Sequence, residues 1–358
     1  MRDREIVLFL GAGASKLYGL PTVEEFFAQV EGPRDGGFKT AYEQLARHIA
    51  IQEGTAQDMK WPKYDAEKLF GNLEQWVNTS NNIGVPPIVK LERVNMAIPA
   101  ADLLAHLKSE IVRIYGHTPA WDPRDRYYAD LFSLILQKKT RSAPIWIITT
   151  NYDSILEGFL RDVNFINRIH YSIAGAPDLR TGFVPGTPAL WRPEMFTDPP
   201  RSGFCPINLV KLHGSVTWKW KDEGGVRKPV DIGLAVPTRD YDCLVYFGYK
   251  SIPEIDPFKT LHDRLKKILL TDALVVCIGF RFGDPYIRET FDFALRANGR
   301  LQVVCSVTRQ PPPGSPLSEL MTRFPNQVSL LVGADGAPLP FGHDDFCKEL
   351  EKRFESIL

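Results

Sequence analysis

Near its start the chain carries a strand pattern that runs directly into a glycine turn. Residues 6–10 are all apolar, and the next five are Gly11-Ala-Gly-Ala-Ser15. An unbroken apolar run of this length is typical of a parallel strand covered on both faces. Glycines after such a strand let backbone N–H groups approach a phosphate at the start of the next helix. The segment therefore predicts a buried strand whose end binds an anion.

Three other segments also place glycine or polar residues directly after apolar runs. They are Thr149-Thr-Asn-Tyr-Asp153, Lys211-Leu-His-Gly-Ser215 and Gly279-Phe-Arg-Phe-Gly-Asp-Pro285. The carboxyl ends of parallel strands meet at one edge of a sheet, and ligands bind in the crevice outside that edge. Together with the glycine turn, these segments predict a single nucleotide cleft.

Strand and helix patterns alternate along most of the chain, which is typical of a parallel sheet with helices on both faces. The predicted fold is α/β, a Rossmann-like doubly wound sheet that is mostly parallel. Turn residues at 222–225 separate two short strand patterns and predict a hairpin. Residues 166–206 are rich in proline, glycine and aromatic residues and carry weak periodicity, so we interpret them as a long loop. The other predicted strands are residues 6–10, 145–148, 207–212, 273–278, 301–307 and 328–332.

Apolar residues recur at helical spacing between the first and second predicted strands, as at Leu103, Leu107, Ile111 and Ile114. No strand signal of comparable strength interrupts them. We therefore divide the chain into a Rossmann-like domain, residues 1–30 and 141–358, and a large all-helical insertion, residues 31–140. The insertion could be a packing module or a surface for a partner, and the sequence leaves both readings open.

Composition limits the classes of protein that need to be considered. The 358 residues contain 43 basic and 43 acidic side chains, so bulk charge gives no sign of direct nucleic-acid binding. No apolar run approaches the roughly 20 residues that span a bilayer, and no signal peptide is visible, so we expect no membrane contact and a cytoplasmic location. The five cysteines lie far apart and form no C-x-x-C pair, so we expect no zinc or other metal site.

Each motif also has an ordinary structural interpretation. Lys16 stands where a dinucleotide fingerprint would place its third glycine, and its spacing does not fit a P-loop either. Asp153 or Ser154 could simply begin a helix, and Ser154 with Glu157 has the spacing of a capping box. Asp284 precedes Pro285, and an aspartate followed by proline is common at the start of a helix. Asp284 could therefore be only a helix cap.

His213 is harder to explain as a structural residue alone. It follows a predicted strand and precedes Gly214 and Ser215, whereas the other six histidines lie in helical or loop patterns. An imidazole titrates near neutrality, so in a cleft it is a natural proton acceptor.

The four segments, in this order, resemble the sirtuin-like family of NAD-consuming proteins. They look closest to the bacterial branch of NAD hydrolases used in antiphage defence, and the match covers about residues 4–30 and 141–307. Sirtuin deacylases carry a zinc module with two C-x-x-C pairs, which this sequence lacks. The resemblance therefore implies hydrolysis of NAD to nicotinamide and ADP-ribose rather than protein deacylation.

The resemblance also implies site residues. His213 would be the catalytic base, Asn151 would hold a ribose hydroxyl or the attacking water, and Asp153 would orient the nicotinamide amide. The expected cofactor-binding residues are Gly11, Ala12, Gly13 and Ser15 at the pyrophosphate, Thr150 beside the nicotinamide ribose, Gly279 and Phe280 on the adenosine side, and Ser306 at the second ribose.

An ungated NAD hydrolase would poison its own cell, so the resemblance implies control by assembly or by a partner. We expect NAD as substrate, a homo-oligomer, and activation by a HerA-type ring ATPase or another infection-sensing partner, leading to abortive infection. The alternative is a catalytically silent nucleotide-binding scaffold in a larger defence complex. A dehydrogenase is a third hypothesis. The absence of the third glycine of the dinucleotide fingerprint argues against it.

Overall fold

The computed structural model describes residues 4–30, 37–52, 66–83, 88–91, 96–116, 126–138, 144–161, 176–186, 188–199, 204–233, 243–245 and 254–357. Its strands are β1 (Glu5–Leu10), β2 (Ile88–Leu91), β3 (Met96–Pro99), β4 (Ile145–Thr149), β5 (Ala176–Arg180), β6 (Phe183–Val184), β7 (Ala189–Trp191), β8 (Phe204–Lys211), β9 (Trp218–Glu223), β10 (Val226–Asp231), β11 (Ala273–Ile278), β12 (Gln302–Ser306) and β13 (Val328–Leu330).

The described helices surround these strands. They are α1 (Ala12–Ser15), α2 (Phe26–Gln29), α3 (Gly37–Gln52), α4 (Ala66–Ile83), α5 (Ala100–Tyr115), α6 (Arg126–Lys138), α7 (Ile155–Arg161), α8 (Phe258–Leu269), α9 (Pro285–Ala297), α10 (Pro316–Arg323) and α11 (Phe346–Ile357). In the described part of the chain, short 3₁₀ turns lie at Lys16–Tyr18, Val23–Glu25 and Pro193–Phe196.

Seven strands form one parallel sheet in the order β13-β12-β11-β1-β4-β8-β5. The strand β1 lies in the middle, with Val7 opposite Val275 of β11 on one side and Trp146 of β4 on the other. On one side of β1 lie β4, β8 and β5, and on the other side lie β11, β12 and β13. The strand order therefore reverses at β1. A crevice at the carboxyl end of β1 is where an open α/β sheet binds its ligand.

Alternate residues of β1 face two different buried layers, as strand geometry requires. Leu8 and Leu10 pack with the helices of the insertion and with α11, whereas Val7 and Phe9 pack with α8, α9 and α10. The rings of Phe9 and Phe291 meet edge to face, 5.3 Å apart. The expected Rossmann-like doubly wound sheet is thus confirmed.

The insertion is not entirely helical. Helices α3 to α6 share one buried cluster with the sheet, through side chains such as Tyr42, Leu107 and Phe132. However, β2 and β3 form an antiparallel pair within it, with Val89 opposite Ile98. The prediction of an all-helical insertion is therefore wrong at this hairpin. Strands of four residues are too short for their periodicity to stand out among long helical patterns.

The region interpreted as a long loop also contains strands. In its described part, β5 extends the main sheet beside β8, and β6 and β7 join the predicted hairpin to form a second sheet in the order β6-β7-β10-β9. The hairpin prediction is confirmed, with Val226 opposite Glu223. The loop prediction is wrong because these strands are only two to five residues long, and β5 includes a proline, so they show little alternation.

Among the described residues, every helix is too short or too polar to cross a membrane.

Candidate active site

The glycine turn after β1 packs directly against the loop after β11. A Cβ atom added to Gly11 would lie 2.6 Å from the carbonyl oxygen of Gly279, and one on Gly13 would lie 2.7 Å from the Cα of Gly279. Gly279 itself has φ of +64°, and a Cβ there would collide with the Gly13 backbone. Glycine is required at all three positions because two backbones touch, a reason that the sequence alone did not show.

Several N–H groups of the turn are used within the protein. The N–H of Gly11 donates to Ile278 (2.9 Å), that of Gly13 to the Gly279 carbonyl (3.1 Å) and that of Ala14 to Gly11 (2.9 Å). The helix α1 that follows Gly11 has only four residues, so its dipole is small. These bonds join the end of β1 to the loop after β11 and leave fewer donors for a phosphate than the motif suggested.

Ser15, Asn151 and Asp153 meet beside this turn. Ser15 Oγ donates to Asp153 Oδ2 at 2.7 Å, and Asn151 Nδ2 donates to Ser15 Oγ at 2.9 Å and to the Gly11 carbonyl at 3.0 Å. The second carboxylate oxygen of Asp153 accepts the N–H of Ile155, the first residue of α7, at 3.1 Å. The structure therefore brings two of the predicted catalytic residues into contact with the glycine turn.

A small cavity lies beneath these three side chains. It has room for about one water molecule. Thr149 at its edge donates to the Leu10 carbonyl (3.0 Å), and the N–H of Thr150 donates to the same carbonyl (3.2 Å). The cavity is lined by Leu10, Ser15, Tyr128, Thr149, Asn151, Asp153, Ile155, Leu156, Glu157 and Lys211.

Lys211, the last residue of β8, is only 1% exposed. Its ammonium donates to the carbonyls of Asp153 and Tyr152 and to Glu157 Oε1, the last at 2.8 Å. Burial raises the pKa of the Glu157 carboxyl, although the charge of Lys211 acts in the opposite direction. Glu157 is thus held by Lys211, whereas the sequence had suggested a capping box with Ser154.

His213 lies two residues beyond Lys211 and is half-buried, with a side chain 15% exposed. Its Nε2 is 3.1 Å from Asp284 Oδ2, although this approach lacks the direction of a hydrogen bond. The other oxygen of Asp284 accepts the N–H of Ile287 at 2.9 Å and caps α9, as the sequence predicted. Burial alone would raise the pKa of the Asp284 carboxyl, but the contact with His213 and the Ile287 N–H outweigh it and lower the pKa.

A second imidazole lies behind His213. His262 of α8 is 1% exposed, and its Nε2 is 3.2 Å from the carbonyl oxygen of Leu212. Burial, together with the charge of His213, lowers the pKa of His262 to about 3. This imidazole is therefore neutral at physiological pH. Sequence analysis did not identify His262, because a histidine inside an amphipathic helix has no distinctive pattern.

The loop after β11 connects the two halves of the site. Gly279 at its start touches the glycine turn, and Asp284 at its end faces His213. Between them, Phe280 and Phe282 are buried against each other with ring centres 5.0 Å apart. Ser306 is buried on the neighbouring strand, and its hydroxyl donates to the Leu339 carbonyl at 2.8 Å, so this hydroxyl is already used.

Residues 146–323 match the family model of the SIR2-like domain. The chain contains a SIR2-like domain. The sirtuin-like resemblance of the four motifs is thereby confirmed, and three of those motifs lie within the matched range. Within the part of the chain that the structure describes, no group of three or more histidine, cysteine or acidic side chains could hold a metal ion.

A comparison with solved structures aligns the chain with Sir2 proteins at low identity and low TM-score. A Sir2 homolog–NAD complex is 12% identical, with a TM-score of 0.36, and covers 99% of this chain and 91% of that chain. Sir2Tm bound to a propionylated peptide is 10% identical, with a TM-score of 0.38, over 100% and 95% of the two chains. A mutant Sir2 homologue with ADP-ribose is 12% identical, with a TM-score of 0.35, over 99% and 93%. None of the curated proteins matches the chain.

Proposed function

We propose that the chain is an NAD glycohydrolase, which cleaves the nicotinamide–ribose bond to release nicotinamide and ADP-ribose. One observation carries the proposal. The loop of residues 279–284 in the SIR2-like domain contacts the glycine turn at one end and His213 at the other. A molecule held at the turn would therefore lie beside an imidazole and an amide at the end of a parallel sheet, where such folds bind nucleotides.

The chemistry needs few groups. Nicotinamide leaves as a neutral base, so it requires no proton, and the barrier lies in forming an oxocarbenium-like ribose. In the proposal, water attacks C1′ of the ribose as the C1′–N bond breaks with its electron pair going to nicotinamide. His213 accepts the proton, either from that water or from a ribose hydroxyl. Asn151 holds the hydroxyl or the water.

Asp153 needs a more specific assignment. It is buried, and its oxygens are bonded to Ser15 and Ile155. In the proposal it holds Ser15 and, through it, the amide of Asn151. Direct contact between Asp153 and the nicotinamide amide would use a carboxylate lone pair beyond those that accept from Ser15 and Ile155. The remaining assignments at Ala12, Thr150, Gly279 and Phe280 stay as predicted contacts with NAD.

The primary test is incubation of the purified protein with NAD, followed by chromatography of the products. His213→Ala should lower the cleavage rate by about 10²–10⁴, the usual loss on removing a general base. The matched control is His343→Ala, because His343 is exposed. Asn151→Ala should remove turnover yet retain NAD binding measurable by calorimetry. Full activity of His213→Ala would refute the proposed role of the imidazole.

Gating belongs to the same proposal. We propose that the hydrolase acts as an NAD-depleting effector in antiphage defence, controlled by homo-oligomer assembly or by a partner such as a HerA-type ring ATPase. The support is chemical, since an ungated enzyme of this kind would be toxic to its host. Light scattering coupled to NAD cleavage tests the assembly route, and a strict monomer with full activity would contradict it. Adding the ATPase to an inactive preparation tests the partner route.

A silent scaffold is the second candidate, and specific contacts favour it. The N–H groups of Gly11 and Gly13 and the hydroxyl of Ser306 are bonded internally, which leaves a nucleotide fewer groups to contact. The scaffold reading predicts that NAD binds without release of nicotinamide, with or without partners. Detection of free nicotinamide would exclude both this scaffold and a dehydrogenase.

A further inference from the structure

Asp284 has a carboxylate whose two oxygens have different tasks. One oxygen accepts the N–H of Ile287 at 2.9 Å and thereby fixes the start of α9. The other lies 3.1 Å from Nε2 of His213. Because the first bond fixes the carboxylate relative to the helix, the second oxygen is held at one position beside the imidazole.

The loop that carries Asp284 is also held rigidly. Phe282 has φ of +60°, a conformation that is unfavourable for a residue with a side chain. Its ring is fully buried, with ring centres 5.0 Å from Phe280 and 5.1 Å from Phe291. Strained backbone persists only where the surroundings determine it strongly, and it clusters at functional sites. The position of Asp284 is therefore set by packing.

Few charged groups compete for this carboxylate. His262 is near enough to His213 to interact with it electrostatically, but its pKa of about 3 keeps it neutral near pH 7. The ring of Tyr152 lies on another side, with its centre 6.5 Å from that of His213 and its hydroxyl bonded to the Val245 carbonyl at 2.7 Å. Among these described neighbours, Asp284 is the group that supplies a negative charge to His213.

We propose that Asp284 is a positioning residue that fixes the ring orientation and tautomer of His213. Because the carboxylate oxygen lies 3.1 Å from Nε2, it favours the tautomer that carries its hydrogen there. Nδ1 then has the lone pair and accepts the proton, and the ionised carboxylate faces a doubly protonated ring. A base oriented by a third group is the general arrangement of such sites. The inference rests on the proposed function for its catalytic consequence, but the pairing itself does not.

Asp284→Asn is the decisive variant, because asparagine caps a helix as well as aspartate but has no charge. The matched control is Glu289→Gln, which removes one charge from the exposed side of the same helix. The first readout is the ¹⁵N NMR spectrum of histidine-labelled protein, with the residue 213 signals assigned by loss in His213→Gln. We expect the neutral ring of residue 213 to carry its proton on Nε2 in the parent protein and on a mixture of nitrogens in Asp284→Asn.

The second readout is NAD cleavage. We expect kcat to fall at least about tenfold in Asp284→Asn with the KM for NAD nearly unchanged, because a misplaced tautomer impairs proton transfer rather than binding. Glu289→Gln should match the parent protein in both readouts. If Asp284→Asn does not fold, Asp284→Ser, which also caps a helix, takes its place.

The two readouts separate the two proposals. An unchanged tautomer in Asp284→Asn would overturn the positioning role whatever the activity. If the tautomer changes while the parent protein cleaves no NAD under any condition, the pairing stands and the proposed function fails. If the tautomer changes but an active enzyme keeps its full kcat, Asp284 orients the ring without any benefit to catalysis, and the catalytic part of the inference is wrong.

Discussion

Two pairs, each made of one basic and one acidic side chain, flank the end of β8, and they differ in burial and in completeness of bonding. Lys211 and Glu157 are buried, 2.8 Å apart, and the ammonium also donates to the carbonyls of Tyr152 and Asp153. His213 and Asp284 are half-buried, 3.1 Å apart, and not aligned as a hydrogen bond. The two basic residues, Lys211 and His213, are separated by a single position in the sequence.

The difference suggests that the two pairs have different roles. A buried charge is tolerated only with good geometry and additional hydrogen bonds, and it then fixes one arrangement of the backbone. The Lys211 ammonium meets that condition and joins β8 to the segment that carries Asn151 and Asp153. The His213 pair is accessible and incompletely bonded, which is typical of a group that exchanges protons. We infer that the Lys211–Glu157 pair fixes the backbone of the site and that the His213–Asp284 pair takes part in proton transfer.

The largest expected effect comes from breaking the buried pair. Lys211→Met leaves the Glu157 carboxyl buried without its partner, and we expect a loss of about 3–5 kcal/mol in the free energy of unfolding, measured with urea. The double variant Lys211→Met/Glu157→Leu should recover most of that loss. Lys228→Met, which breaks the exposed pair with Glu223, is the control and should cost no more than about 1 kcal/mol.

The double variant also sharpens the comparison. If Lys211 and Glu157 fix the backbone of the site, the double variant should bind NAD more weakly or turn it over more slowly. The reason is that the carbonyls of Tyr152 and Asp153 have lost their donor. Normal binding and turnover in a stable double variant would show that apolar packing can hold the same site together. The proposed structural role of the Lys211–Glu157 pair would then be wrong.

The next effect comes from the contact that joins the glycine turn to the loop carrying Asp284. Gly279→Ala forces a side chain into φ of +64° and against the Gly13 backbone, so we expect a loss of about 2–4 kcal/mol. Gly314→Ala is the control, since Gly314 has φ of +76° but open space around it. The difference between the two variants isolates the close approach. Equal losses in urea unfolding would mean that the two backbones can separate freely.

The sequence could predict the parts of this site that depend on local pattern. Apolar runs located the strands, and β11 occupies the predicted residues 273–278. Helix-start chemistry located Asp284 as a cap, because the signal lies within three residues. The ends of parallel strands then brought Asn151 and Asp153 to the glycine turn.

The rest could not be predicted, because it depends on contacts between distant residues. Lys211 and Glu157 are 54 positions apart, and a lysine is rarely expected inside a protein. The packing of Gly279 on the glycine turn explains three glycines, but it becomes visible only when β1 and β11 are known to be neighbours. Strands of two to four residues, such as β2, β3 and β6, lie below the length at which periodicity is informative.

The third effect depends on pH and arises from the histidine behind the half-buried pair. The pKa of His262 is about 3 in the folded protein, compared with 6.5 for an ordinary histidine. Between these values the unfolded chain binds a proton that the folded protein does not, so acidification favours unfolding. At pH 5 this linkage amounts to about 2 kcal/mol.

His262→Gln should therefore lose about 2 kcal/mol less stability than the parent protein when the pH falls from 7.5 to 5, measured by urea unfolding at both values. His343→Gln is the control for loss of an exposed histidine. Identical pH dependence in His262→Gln and the parent protein would mean that His262 is hydrated or partnered in solution, and that a second charge can form beside His213.

The smallest expected effect separates the two tasks of Asp284. Asp284→Ala removes both the helix cap and the charge, whereas Asp284→Asn removes the charge alone. We expect the alanine variant to be less stable than the asparagine variant by about 1 kcal/mol, the typical contribution of a cap, as measured by urea unfolding.

The folded pKa of Asp284 is lowered, so its charge stabilises the protein above the ordinary pKa of the carboxyl, and this contribution is lost as pH falls through the folded value. The stability difference between the parent protein and Asp284→Asn should therefore shrink on acidification below about pH 4, while the difference between the two variants, which have no carboxyl at this position, stays constant. A difference between the variants that changed with pH would show that the cap itself depends on a titrating neighbour. The half-buried pair would then resemble the Lys211 pair in function more than its exposure suggests.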